Sequence, residues 1–511
     1  MPERPSQEQL LDHFASHVSP QKVKMYRMWG VDFIPGRREG VRVWDYDGKR
    51  SWIDCRSAGG VFNLGHRPPR IIAALKKALD EIDISDHMLA SGYRGLLAKR
   101  LAELTPGDLQ YTTFGSSGGE AIDFALKLAR GYTGKPGVVS AQKGYHGHTG
   151  LALAATDQFG SKFGPMAPGF RRVPFSDYEA LEAAVTDDVA AVIMETIPAT
   201  AGFPLPPDDW YPRVRKLCDE RGVILILDEV QAGLGRTGRL WAYEEWGIHP
   251  DIMVCGKGMS AAIYPLSSAT YRKHLQSFFD DDAFVHLSST GGSELGCVTA
   301  LTMLDQTTEP GFSEHVQVMG QRFEDGFAAL REKRPDVLKG LNRRGLMMGV
   351  VMSRDECGML TMRALAKRGV IAVYAHYNPN ILQLMPPLII QADEVDEVLD
   401  AMDGDLNTPS ALASLFDLAR EINRARDEGR RADEAQAAER EMAGILGLTL
   451  VEPQAADRAG LEPFIELLVE LRNDLRSAQQ YELSDKLRAR LAEIGVTLED
   501  TATGTRWRMK G

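Results

Sequence analysis

Four short apolar runs constrain this chain more than anything else in it: GVVSA at 137–141, AAVIMET at 190–196, GVILILDEV at 222–230 and DIMVCGKG at 251–258. A strand that is apolar on both faces must be covered on both faces, which is the habit of parallel sheets. Between the runs lie segments such as SGGEAIDFALKLARGY and WYPRVRKLCDERG, whose apolar positions recur at helical spacing. This alternation predicts an α/β fold with a mostly parallel central sheet. Right-handed crossovers then bring the carboxyl ends of the strands to one edge, where ligands bind.

At 511 residues the chain exceeds what one core usually organises, so two or three domains are expected. VRVWDYDGKRSWIDC, at 41–55, alternates like an antiparallel hairpin around Asp47-Gly48, and residues from about 300 to 403 return to mixed helix and strand. We expect residues 1–75 and 300–403 to form a smaller α+β domain beside a large α/β domain over 76–299. Beyond 403 the texture turns helical with Glu/Arg-rich faces, which predicts a separate all-α domain over 404–511.

A net charge of −12 excludes a chain-wide field attractive to nucleic acid or an anionic membrane, so any RNA contact must be local. The start, MPERPSQEQLLDHF, is polar, and no apolar run is long enough for a bilayer. The expectation is a soluble, cytoplasmic protein. Five cysteines lack CxxC spacing, so neither a disulfide framework nor a metal site is expected. Cys255 reads as strand core although it stands close to Lys257.

Two charged residues close apolar runs. Lys257 follows DIMVCG, where a buried amine sheds its proton more easily and becomes a nucleophile. Asp228 ends GVILILD, where an unpaired carboxylate would be costly and a cationic partner is expected; a helix N-cap or a structural ion pair would also serve. GSSGGEA, at 115–121, opens a helix, so the free amides near Ser117, Gly118 and Gly119 can converge on a phosphate. Tyr145, in YHGHTG, supplies an aromatic face after a strand.

Taken in order, GSSGGEA, YHG, DEVQAGLGRTG and DIMVCGKG resemble the class III aminotransferases of pyridoxal-5'-phosphate (PLP) fold type I, over about residues 25–403. The resemblance implies that Lys257 holds PLP as a Schiff base and acts as general acid and base. It implies Asp228 at the ring nitrogen, Gln231 at the ring hydroxyl, Tyr145 on the ring and Ser117, Gly118 and Gly119 at the phosphate. Glu195 matches the family's glutamate near the cofactor, and PPL at 386–388 its late signature. It also implies a homodimer with composite sites, in which SSTGGSELGC offers Ser289 and Thr290 to the neighbour's phosphate. An amino donor and a carbonyl acceptor are the implied small-molecule partners.

Three departures bear on the substrate. His148 and Gln383 stand where amino-acid-specific relatives carry arginines, and Thr200 stands where an acidic partner is frequent. Neither a neutral His nor Gln reproduces bidentate arginine recognition. Glutamate and 2-oxoglutarate are therefore expected to be poor substrates, unless Arg56 supplies a carboxylate clamp. Aminomutases, epimerases and decarboxylases share the scaffold, so those reactions stay open. From about 402 to 509 the tail resembles the anticodon-binding helical region of cysteinyl-tRNA synthetases, most specifically in LEDTATGTRWR. This resemblance implies tRNA contact through Arg506, Trp507 and Arg508, with helical support from Arg472, Arg476, Arg488 and Arg490. A tail kept for packing or dimerisation is the competing reading, and an RNA-binding or regulatory protein with an inactive PLP fold is the non-enzymatic one.

Overall fold

The computed structural model describes residues 5–404 and, beyond them, 407–427, 435–436, 440, 462–477, 481–493, 496–501 and 504–509. Two compact units divide the chain, Met1–Asp417 and Leu418–Gly511. The division falls inside a helix, Asn407–Asp427, rather than at residue 403 where the sequence texture changes.

In the first unit the expected hairpin is present as β2 (Arg42–Asp45) and β3 (Ser51–Asp54), preceded by β1 (Pro35–Glu39). Asp45 Oδ1 accepts the Lys49 and Arg50 amides, and Gly48 turns the chain at φ +71°.

Seven strands follow in one sheet: β4 (Leu109–Gly115), β5 (Gly137–Ala141), β6 (Phe170–Val173), β7 (Val189–Glu195), β8 (Ile224–Asp228), β9 (Ile252–Cys255) and β10 (Ser267–Arg272). Their order is β4-β10-β9-β8-β7-β5-β6, parallel from β9 through β6, with β10 antiparallel to both its neighbours. Every residue of β5, β7, β8 and β9 is buried, as the apolar runs require. The helix Gly118–Thr133 buries Ile122, Phe124, Leu126 and Leu128 and stops where Gly134 takes φ +69°. Trp210–Arg221 stops in the same way at Gly222. Both stops use glycine because the left-handed conformation carries no Cβ penalty there.

After the sheet come β11 (Leu338–Arg344), β12 (Met347–Met352), β13 (Val370–Ile371), β14 (Val373–Tyr374) and β15 (Ile381–Leu384). Four of these form a second sheet in the order β11-β12-β15-β14, while β13 joins β3 in parallel, Val370 opposite Ile53. The flanks thus meet across the large sheet's insertion. Val41, Ile53 and Cys55 share one apolar cluster with Phe323, Leu346, Leu382 and Met402.

In the second unit the helices Glu462–Ser477 and Tyr481–Glu493 are followed by β16 (Val496–Thr501) and β17 (Gly504–Met509). These two strands pair antiparallel, Leu498 opposite Trp507, so the expectation of an all-α tail is corrected. The reason lies in VTLED and GTRWRM, whose alternation and β-branched residues suit a ribbon closed at Gly504. Val469, Leu491, Val496 and Leu498 make its small core.

Candidate active site

The carboxyl ends of the parallel strands assemble the site. Glu195 ends β7 and lies directly opposite Asp228, which ends β8; Cys255 ends β9 two residues before Lys257. Lys257 opens a tight turn at φ +41°, a conformation that costs a non-glycine residue about 1–3 kcal/mol. Ser260 Oγ fastens that turn by donating to the Lys257 carbonyl at 2.7 Å.

Lys257 Nζ donates to Gln231 Oε1. Burial holds the ammonium below its ordinary range; Asp228 and Glu195 pull against this, and Arg56 adds to it. Asp228 is fixed on both oxygens, Oδ2 lying 2.8 Å from His146 Nδ1 and Oδ1 accepting the Val230 amide at 3.0 Å. The ring of His146 is buried, and among the described residues its Nε2 has no partner. Glu195 accepts the Tyr145 amide at 2.9 Å and the Ala199 amide at 3.1 Å. Burial nevertheless pushes its carboxyl up to about 7, with Asp228 adding to the effect while His146 and the two amides oppose it.

Ser117 caps the helix Gly118–Thr133 by accepting the Glu120 amide at 3.3 Å, and its carbonyl accepts Ser267 Oγ at 2.7 Å. The first amides of that helix have no intrahelical acceptor, so they form a ready anion cradle. Small residues are required there: a Cβ on Gly119 would lie 2.8 Å from Thr149 Oγ1, and one on Gly118 3.2 Å from Val230 Cγ1. A Cβ on Gly256, next to Lys257, would meet Gly118 Cα at 3.4 Å, which brings the lysine turn against the cradle.

A cavity of about 290 Å³ opens on Lys257 and is lined also by Arg56, Tyr145, Thr200, Gln231 and Gln383. Gln383 Nε2 donates to the Ala199 carbonyl, and Thr200 Oγ1 to the Lys143 carbonyl at 2.9 Å. Arg56 is exposed, and apart from Lys257 it is the one Lys or Arg on this lining. The exposed ring of His148 lies edge-on to Tyr145 and Phe159 at 5.5 and 5.1 Å and is not part of the cavity lining. Ser289 and Thr290 are exposed and lie outside the cavity.

The sequence reading passed over His146, although it adjoins Tyr145 in YHG; a buried Asp needing a partner was the available signal. His376 and Tyr374 also line the cavity and carried no motif.

In the tail, Trp507 is half-buried against the small core. The side chains of Arg506 and Arg508 lie outside the described residues. Arg472 is fully buried and donates to Thr505 Oγ1 at 3.3 Å, so it does not face a phosphate. Arg488 donates to the Leu498 carbonyl at 3.2 Å.

One reversed strand in an otherwise parallel seven-stranded sheet, with a half-buried lysine, a buried aspartate and a glycine-rich helix start at its carboxyl edge, defines a PLP-dependent enzyme of fold type I. The residues fit that cofactor: burial favours loss of the lysine's proton, the carboxylate is anchored, and the first amides of the helix can face a phosphate. Residues 26–405 match the family described as aminotransferase class-III, and residues 397–451 match the DALR domain. The chain belongs to the class III aminotransferases. It is 46% identical, over 420 residues, to an uncharacterized aminotransferase of Archaeoglobus fulgidus, covering 82% of this chain and 99% of that one. Ornithine aminotransferase from Toxoplasma gondii superposes with a TM-score of 0.73 at 25% identity, over 80% of this chain and 96% of its own. An (S)-enantioselective omega-transaminase from Thermomicrobium roseum gives 0.71 at 26%, over 80% and 99%. No helix among the described residues is long and apolar enough to cross a membrane.

Proposed function

We propose that Lys257 holds PLP covalently and, once released, carries the substrate's proton as general acid and base. The observation that carries this reading is the half-buried Lys257 amine in contact with Gln231, on the sheet edge that also anchors Asp228. When bound, PLP supplies the electron sink for charge left on the reacting carbon. Asp228 keeps the ring nitrogen protonated, and His146 positions Asp228 from behind. Gln231 meets the ring hydroxyl, Tyr145 covers the ring, and Ser117, Gly118 and Gly119 hold the phosphate. Glu195 fixes the Tyr145 backbone through the amide it accepts. Lys257→Ala tests the reading: it should abolish amino transfer, and a variant that still transaminates would end it.

The donor is an amine other than glutamate. Gln383 is tied to a backbone carbonyl and His148 lies outside the cavity, so Arg56 alone offers a cation to an acidic group of donor or acceptor. Brisk turnover of glutamate with 2-oxoglutarate would contradict this.

The working form is a homodimer in which Ser289 and Thr290 complete the neighbour's phosphate site. Exposed Met88, Leu89, Phe284, Val285 and Leu287 support it. Their two segments adjoin, since Arg94 Nε donates to the Gly292 carbonyl at 2.8 Å and the Glu294 amide to the Ile84 carbonyl at 3.3 Å. Apolar residues exposed together in this way suit a partner surface. A second activity, tRNA binding by the tail, is supported by the DALR match and by LEDTATGTRWR. Filter binding should retain tRNA with a steep salt dependence, and no retention would remove this part.

A further inference from the structure

A second chamber, of about 680 Å³, lies beside the Lys257 cavity. Its walls come from the helices Gln7–His17 and Pro20–Trp29, from the segment leading into β1, and from β13 and β14. Phe14, Tyr26, Trp29 and Phe33 supply aromatic surface, with Phe14–Tyr26 and Tyr26–Trp29 ring centroids 6.2 and 6.4 Å apart. Only Lys22 and Arg56 on its lining carry charge.

Arg56 and Val373 line both cavities, so the two spaces adjoin at these residues. The Arg56 backbone is pinned, its amide donating to Asp54 Oδ1 at 3.0 Å. Its exposed guanidinium is engaged by no hydrogen bond or ion pair among the described residues. A long side chain anchored at its root and free at its tip can move aside, leaving its methylene stem along an apolar guest.

We propose that this chamber is the distal half of the substrate site and takes the arm of an amine whose chain is long and apolar, alkyl or aryl, while the amino group reaches Lys257. The proposal rests on Lys257 being the reacting lysine, as argued above. It accounts for the missing arginines at 148 and 383: a donor recognised through its hydrocarbon needs no second carboxylate clamp.

The test is calorimetric titration of the PLP-loaded, borohydride-reduced full chain with butylamine, hexylamine and octylamine. Reduction prevents turnover, so binding is read apart from catalysis. Dissociation constants should fall about fourfold per methylene, roughly two-hundredfold across the series, with a negative heat-capacity change. Met25→Glu places a charge on the chamber wall at a position 41% exposed, and should narrow the octylamine-to-butylamine ratio about tenfold. Val318→Glu, 54% exposed on the helix Phe312–Lys333 and absent from both linings, should leave the ratio as it was. Equal affinity along the series, or an unaltered ratio in Met25→Glu, overturns the proposal. Failure of every amine to alter the spectrum of the unreduced enzyme would instead strike at the role of Lys257.

Discussion

Asp228 is held from two sides, by the His146 ring and by the Val230 amide. Removing the ring leaves a buried carboxylate short of a charge-capable partner, a loss worth about 1.5–3 kcal/mol. His146→Ala should therefore weaken PLP retention about ten- to hundredfold, read as the midpoint of cofactor release on dilution; unchanged retention would show that the ring only fills space. Glu195 offers a pH test. Its carboxyl is raised to about 7 by burial, so it favours the folded state while protonated, and that contribution fades as pH rises from the ordinary carboxylate range through 7. Relative to wild type, cofactor-free Glu195→Gln should gain stability between about pH 5 and pH 8, by at most about 3 kcal/mol in denaturant unfolding. A constant difference would mean that the carboxylate is ionised throughout. At this scale the sequence was legible wherever a charge interrupts an apolar run, as at Lys257 and Asp228. It was illegible at His146, whose importance comes from packing against a residue 82 positions away.

Among the elements, the helix Gly118–Thr133 ties folding to cofactor binding most directly, because one residue both caps it and fronts its free amides. Ser117→Ala should cost about 1 kcal/mol of stability through the lost cap, with further weakening of PLP, measured by unfolding with and without cofactor. A loss seen only with cofactor present would mean that the cap itself contributes nothing. The strands β5, β7, β8 and β9 were legible because full burial demands unbroken apolar sequence. The reversed strand β10 was not. Ser267, Ser268 and Thr270 are fully buried in SSATYR, yet polar residues on that scale read as a loop. Two of them find partners only in the folded sheet: Ser267 Oγ at the Ser117 carbonyl and Thr270 Oγ1 at Thr112 Oγ1, 3.1 Å away. The closing ribbon β16–β17 was missed because the Glu/Arg-rich helical texture before it carried the reading forward.

At the scale of the molecule, one larger and one smaller unit share the chain. The first carries the class III aminotransferase fold, and the proposed preference for apolar amines over glutamate belongs to it. The second must earn its place by binding RNA or by packing. The chemistry turns on a single lysine, and peptide mapping after borohydride reduction of the PLP-loaded protein reads it. The expected result is a pyridoxyl-phosphate mass on the peptide containing Lys257 and none on that of Lys143. A label on any other lysine, or a Lys257→Ala protein that still takes up the label and transfers amino groups, would contradict it.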